Sequence, residues 1–494
     1  MKKMLKRFTL SLLLCIAVFA ADLLPAAAMT TLPYDTYNYD YREYIHYTPA
    51  AYTPAGNINI AGYEYNGAPV GSLVTPQDLC KDAQGLVYIA DTGNNRIVVL
   101  DAAMTSVVDI IDNFDNEGTE DTFKKPYGIC VSENGQIYIA DSQNRRVVVL
   151  EKDHSLVKIV ANPVSESLDD GFTFTPLKVT VDYADRIYVI AQNMFEGIMV
   201  FESDGNFSTF FGTIDVEISA WEIFWKRVST KEERSKQKLY IPTEFTGLDI
   251  DPSGFVYATN IDADGEQGVR RLNPNGQDVI KKGENLNVGG DLQTDGTTDY
   301  AGVSQFIDVV YRGSGIYSCL DRKRGRIFTY DHEGNLLYIF GGLGQQVGTF
   351  RLPTAIDDIG DKIIVLDATL GEIVTFDITE YGSLINDAVA LRYSGDEAEA
   401  VELWERVLEL DEDNELAHIG IGKAYLTAGD YVQAMKHLKL GMSRDYYSVA
   451  FRRWRNDILK ANASWVLSIL AVLVVGLIVF RSIRKRKKGA KVNG

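Results

Sequence analysis

The segment VYIADTGNNRIVVLD at residues 87–101 returns 50 residues later as IYIADSQNRRVVVLE at 137–151. A near-copy at this period restricts the chain to a solenoid, a propeller or an array of small units. The unit is β in character. Val87 and Ile89 alternate with other residues ahead of an Asp-x-x-Asn-x-Arg turn, and a second apolar run covers 97–100. Weaker copies stand at 175–212, 244–280, 305–342 and 352–380. Each offers a first strand, a Gly-centred turn, a Tyr- or Ile-bearing strand, another turn and an outer strand. Four short strands repeated radially make a β-propeller, so six copies predict six blades. The sixth copy is short of its fourth strand. The unclaimed stretch 52–60 is expected to supply it and close the ring.

The wording of the unit resembles the NHL family. Its pattern G-x-[IV]-Y-[IV]-A-D-[ST]-x-N-x-R-[IV]-x-[VL] is well matched from Gly85 to Leu100 and from Gly135 to Leu150. The match is partial at Asp321 to Tyr330 and at Asp367 to Phe376, and poor in units three and four. The resemblance implies the propeller fold over about 52–380. It implies little about activity, because such propellers serve as protein-binding, nucleic-acid-binding and enzymatic modules.

The two ends predict a location. Lys2, Lys3, Lys6 and Arg7 precede an apolar run from Phe8 to Ala20, and Ala26, Ala27 and Ala28 offer a cleavage site. Residues 1–28 therefore read as a secretory signal peptide. Residues 461–480, from Ala461 to Phe480, are apolar except for Asn462, Ser464 and Ser468. Twenty helical residues span about 30 Å, one hydrocarbon thickness. The tail at 481–494 carries seven basic residues and no acid, so the positive-inside rule makes it cytoplasmic. These features predict a single-pass cell-membrane protein with its ectodomain outside.

The chain carries a net −19. Once signal and tail are set aside, 38 basic and 67 acidic residues remain, a net −29. Nucleic-acid binding needs a basic footprint, so that partner is excluded by charge and by compartment. Cysteine adds little. Cys80 and Cys130 hold the same place in units one and two, as two small buried hydrophobes or as an inter-blade disulfide; burial is the expected reading. Cys319 is expected in the core.

Three further segments stand out. The first, 29–60, is a Tyr-rich arm with seven tyrosines between Pro33 and Tyr52. Tyrosine presents a flat apolar face and a hydroxyl, suited to sugar rings; packing across the propeller rim is the expected reading. The second is an insertion at about 217–237, in which Trp221, Phe224, Trp225 and Val228 recur on one face of a helix. Trp221 and Trp225 are partner-docking candidates. The third is the pair 381–414 and 415–448, each 34 residues long. That period, with Gly422, Tyr425, Gly429, Ala434 and Leu438 in the second copy and Ala388, Gly395, Ala400 and Trp404 in the first, resembles the tetratricopeptide repeat. Residues 449–460 are expected to add a capping and juxtamembrane helix that runs on into the membrane. The fold class predicted is thus mainly β: a six-bladed NHL-type β-propeller over 61–380, a small α-helical tetratricopeptide-like domain, and one transmembrane helix.

A site in such a fold belongs where the first strands converge. The aligned strand starts place Asp78, Gly128, Lys178, Gly247, Asp308 and Ala355 at equivalent positions near the axis. Residues needed for the fold repeat from blade to blade, whereas these differ. Asp78, Tyr127, Lys178, Glu244, Gln305 and Asp308 are therefore the ligand-binding candidates, and their mixed charge suits a polar neutral or zwitterionic ligand, a glycan or a protein. By resemblance to gluconolactonase-type propellers, Asp78, Asp308 and Glu244 are candidate carboxylates for one divalent cation. No asparagine joins them, and hard cations want six or more oxygens. The five histidines show no zinc-like spacing, and no G-x-S-x-G is present. No cofactor, metal ligand or catalytic residue is assigned. The recurring Asp91, Asp141, Asp321 and Asp367, with Arg96, Arg146 and Arg326 five residues on, are expected to brace turns. The expected function is a membrane-anchored binding or scaffold protein, with a link to carbohydrate uptake implied by resemblance. A metal-dependent propeller hydrolase of gluconolactonase type is the alternative.

Overall fold

The computed structural model describes residues 32–163, 165, 168, 171–213, 244–261, 268–281, 289–292 and 302–490, with side chains up to 484. The signal segment, the insertion with Trp221 and Trp225, the loop 262–267 and the last four residues lie outside the described residues.

Six sheets surround one axis. Blade one runs Asp78–Lys81, Val87–Asp91, Arg96–Leu100 and Val107–Ile111. The next blades begin with inner strands Pro126–Val131, Pro176–Val181, Phe245–Ile250, Phe306–Tyr311 and Pro353–Ile359. The second strand of each blade lies between neighbouring blades, so both its faces are covered. All five residues of Val87–Asp91 and of Ile137–Asp141 are buried, which is why Val, Ile and Tyr fill them without a polar face.

Blade four departs from the repeat. Among the described residues it has three strands, and its outer edge is reduced to one bridge between Leu272 and Asp278. The Asp278 carboxylate accepts the Arg271 and Ile280 N–H groups. A side chain that takes backbone donors competes with the ladder, so the expected fourth strand there does not form.

The last blade recruits the N-terminal arm. Tyr52–Ile58 lies antiparallel to Glu372–Ile378, from Tyr52 opposite Ile378 to Ile58 opposite Ile373. Tyr52 is fully buried and stacks on Phe340 at 4.7 Å. Ahead of it, the hairpin Tyr37–Tyr39 with Ile45–Tyr47 covers the outer edge of blade five, where Asn38 donates to the carbonyls of Leu336 and Leu337. An uncovered outer strand would be a pairing site for another chain.

Five helices follow: α1 (Glu380–Ser394), α2 (Glu397–Leu410), α3 (Glu415–Ala428), α4 (Tyr431–Leu440) and α5 (Arg444–Ala490). α1 starts two residues after the last strand, capped by Thr379 Oγ1. α3 is capped by Asn414, and both α1 and α3 stop at a left-handed glycine, Gly395 and Gly429. Two glycines allow close helix packing. A Cβ on Gly420 would lie 2.4 Å from Trp404 Nε1, and one on Gly422 would lie 2.6 Å from Leu438 Cγ.

One hydrophobic core runs through both domains. Tyr52 and Phe376 of blade six join Tyr381, Ile385, Val389, Trp404 and Ile421 of the helices. A polar clamp reinforces it. Glu333, in the outer turn of blade five, binds Lys423 at 2.8 Å and also Arg392. Burial opposes that charge, but Arg392 and Lys423 outweigh it and lower the Glu333 pKa to about 2. The propeller is thus fixed to the helices without a linker. α5 is the one described helix long and apolar enough to cross a membrane. At 1.5 Å per residue its 47 residues reach about 70 Å.

Candidate functional site

The inner strands carry a repeated irregularity. Register slips between Pro126 and Gly128, Pro176 and Lys178, Phe245 and Gly247, Phe306 and Asp308, and Pro353 and Ala355. Each bulge turns the following residue towards the axis. Two of those residues are glycine for a steric reason. A Cβ on Gly128 would lie 2.5 Å from the Leu177 carbonyl oxygen, and one on Gly247 would lie 2.5 Å from Asp308 Cα. The small positions let Lys178 and Asp308 close in.

Three of the six candidates meet there. Lys178 Nζ lies 2.5 Å from Asp78 Oδ1 and 3.1 Å from Asp308 Oδ1. Asp78, Lys178 and Asp308 are 4%, 5% and 3% exposed, so the triad closes the axis. Each carboxylate also ties two blades together. Asp78 Oδ2 accepts the Ile129 N–H at 3.0 Å, and Asp308 Oδ2 accepts the Ile356 N–H at 2.9 Å. Burial works to lower the Lys178 pKa, but the charges of Asp308 and Asp78 outweigh it and hold the ammonium protonated. Burial raises both carboxyls, Asp308 to about 7. One cation between two carboxyls leaves one negative charge on the cluster, and burial disfavours that charge.

A second polar layer sits further along the axis. Asp249 Oδ2 accepts the Tyr311 N–H at 2.6 Å, and Asp357 Oδ2 accepts the Lys81 N–H at 2.8 Å. Lys81 Nζ reaches Asp357 at 3.1 Å and also Asp358. Burial pushes the Asp249 carboxyl up to about 7. Between the layers is a cavity of about 70 Å³, lined in part by Cys80, Cys130, Thr180 and Asp249. That is room for a few waters. The described cysteines are free thiols.

The other three candidates stand apart from this lining. Tyr127 is the bulged residue itself, and Glu244 and Gln305 each precede an inner strand by one position. All three are half-buried at the end of the ring where the inner strands begin. Placed on blades two, four and five around a closed axis, these groups can contact a polar surface ligand. They do not fit a resident cation. Lys178 Nζ stands between the two carboxylates that would ligate one, and Glu244 is outside the cavity lining. Among the described residues no three His, Cys, Asp or Glu side chains are grouped to hold a metal ion.

The recurring aspartates are braces, whereas Arg326 departs from the expected pairing and donates to the Asp35 carbonyl over the Tyr37 ring. Asp91, Asp141, Asp321 and Asp367 accept N–H groups from Val74, Lys124, Gln305 and Arg351 at 2.6–2.8 Å. Arg96 and Arg146 close back on Asp91 and Asp141 at 2.8 and 2.9 Å. Hydroxyls lock adjacent blades: Thr92 Oγ1 donates to the Pro126 carbonyl and Thr246 Oγ1 to the Phe306 carbonyl. Sequence reasoning missed the second axial layer. Its signal is an aspartate at the fifth position of two inner strands, Asp249 and Asp357.

The fold and its elements define a six-bladed NHL-type propeller joined to a tetratricopeptide-repeat domain. The NHL repeat family matches residues 73–100 and 123–150, and the tetratricopeptide repeat family matches 391–446. No curated protein matches the chain. Solved structures of similar shape include a catalytically inactive virginiamycin B lyase from Staphylococcus aureus with quinupristin, at 12% identity and TM-score 0.40, covering 71% of this chain and 97% of that one. A gluconolactonase-like protein has 13% identity and TM-score 0.38, covering 67% and 94%. A protein of unknown function from Bacteroides thetaiotaomicron has 13% identity and TM-score 0.43, covering 66% and 76%. None supplies a residue role for this chain.

Proposed function

We propose that this is a non-enzymatic, extracytoplasmic binding or scaffold protein held on the cell membrane by α5. The observation that carries the reading is the continuous core from blade six through α1–α3, with the Glu333 clamp beside it. It joins the propeller to the first three helices, and Leu426, Ala434, Leu438 and Ala450 pack α3, α4 and the start of α5 together after them. A triad spent on internal charge pairs favours binding at the mouth over chemistry on the axis. Cleavage at about residue 28, an outside ectodomain and a cytoplasmic basic tail complete the topology.

The ligand face is the end of the ring where inner strands begin. There Tyr127, Glu244 and Gln305 meet a ligand first, with Asp78, Lys178 and Asp308 as the floor. Aromatic and amide groups without a bare metal suit a glycan, another polar small molecule or a polar protein loop. A place beside a carbohydrate-uptake system agrees with that chemistry and with the family resemblance.

The test has two arms on the full chain. One is a thermal-shift screen of neutral oligosaccharides and zwitterionic amino acids. The other is cross-linking of intact cells with a membrane-impermeant reagent. A stabilising ligand or a single cross-linked neighbour is expected. Either should be lost when Tyr127, Glu244 and Gln305 are together replaced by alanine, with Tm unchanged. Undiminished binding by that variant contradicts the assignment of the face.

A further inference from the structure

A second concavity lies far from the propeller axis. The N-terminal hairpin, the outer turn of blade five, the first turn of α3 and the end of α4 border an open cleft of about 590 Å³. Small-molecule and side-chain pockets commonly fall in a range of about 300–1,000 Å³. Its wall is mixed. Tyr39, Tyr41, Ile419, Leu440 and Met442 give apolar surface, and the hairpin and helices add carboxylates.

The charged groups facing it can be sorted by what already holds them. Asp411 is satisfied by His46 at 3.2 Å, by the Tyr381 hydroxyl at 2.9 Å and by Asn414. Asp40 accepts the Arg42 and Tyr44 N–H groups of its own turn. Arg42 turns back onto the Tyr41 ring and hydroxyl. Glu412 and Asp413 are exposed. His418 faces His437 at 3.3 Å, and burial followed by the His437 charge lowers its pKa, so it is neutral.

Glu415 is left as the half-buried carboxylate of this lining with no ion pair among the described residues. Burial pushes its carboxyl up to about 7. That value already includes the charge of Asp40, which adds to burial, and the Tyr41 N–H and His46, which only partly offset it. A desolvated carboxylate beside apolar walls is completed by a cation on an apolar stem.

We propose that this cavity binds an alkylammonium group, a lysine side chain of a partner protein or a free polyamine, with Glu415 as its counter-charge. The apolar wall takes the methylene stem, and the exposed Glu412 and Asp413 draw the cation in. Binding shifts Glu415 to its ionised form and releases a proton, so affinity rises with pH. The site is separate from the propeller mouth, and neither reading depends on the other.

Calorimetric titration of the detergent-solubilised full chain with 1,5-diaminopentane, spermidine and an acetylated Lys-Leu-Lys peptide tests it. Saturable binding is expected, tightening about tenfold from pH 6 to pH 8 as Glu415 goes from about one tenth to nine tenths ionised. Glu415→Gln should weaken binding about tenfold at pH 8 and flatten the pH profile, with Tm at pH 8 unchanged or higher. Glu409→Gln, on an exposed face of α2, should change neither. Tighter binding of the peptide identifies a protein segment as the source, and tighter binding of spermidine a free polyamine; both support the site. Absence of saturable binding by all three probes, or a Glu415→Gln variant with unchanged affinity and pH profile, overturns it.

Discussion

Lys178→Met is expected to destabilise the propeller by about 3–5 kcal/mol at pH 8, the usual cost of stripping the counter-charge from a buried ion cluster. The lysine is the one cation between Asp78 and Asp308, and all three are buried. Without it the two carboxyls face each other across the axis. Both still have to accept the Ile129 and Ile356 N–H groups to hold their blades together. The loss should depend on pH. In the variant the folded carboxyl pKa values lie further above their unfolded values near 3.9. A raised folded pKa gives stability that is present at low pH and is lost as pH rises through the folded value. The variant should therefore lie closer to wild type at pH 5 than at pH 8. Asp78→Asn with Asp308→Asn in the same chain should recover part of the loss, because no charge then remains at the three triad positions. Denaturant unfolding at the two pH values measures this. Equal destabilisation at both would show that the cost is one of packing and not of charge.

The second large effect is expected at the closing strand. Deleting 29–60 should lower Tm by roughly 10 °C or more, since each 1 kcal/mol shifts Tm by about 2–4 °C in domains of a few hundred residues. The deletion removes Tyr52–Ile58 from blade six and bares the strand Glu372–Ile378. It also uncovers blade five, where Asn38 holds the outer strand. Tyr52→Ala isolates the packing part. Tyr52 is wholly buried, stacks on Phe340, and meets Arg312 through its hydroxyl. Truncating an aromatic of this kind costs about 3–5 kcal/mol. An unchanged melting curve for the deletion would show that the ring is held shut without the arm.

How much of this was legible depended on how often a feature repeats. The Asp-x-x-Asn-x-Arg turn occurs twice almost unchanged, and blade architecture follows from it because every blade solves the same packing problem. The strand deficit of the sixth copy and the unclaimed stretch at 52–60 could be read together for the same reason: a ring has no free edge. Blade four was over-read. QDVI looks like a strand, but Asp278 takes the ladder's donors with its own carboxylate. The axis was legible only in part. Alignment puts Asp78, Lys178 and Asp308 at one level, yet whether they await a ligand or satisfy each other is a matter of a few ångströms. That distance depends on Gly128 and Gly247 and the bulges before them. The Glu415 cavity was not legible at all. It joins a hairpin and a helix more than 360 residues apart, and nothing in either segment announces the other.

The orientation of the propeller and repeats relative to the membrane can be measured directly. Protease added outside intact cells expressing the full chain, followed by immunoblotting against a tag on the C-terminal tail, reads it. With the ectodomain outside, the propeller and repeats are removed and a small tagged fragment containing α5 stays in the membrane. A full-length tagged chain that survives until the cells are lysed would contradict that orientation.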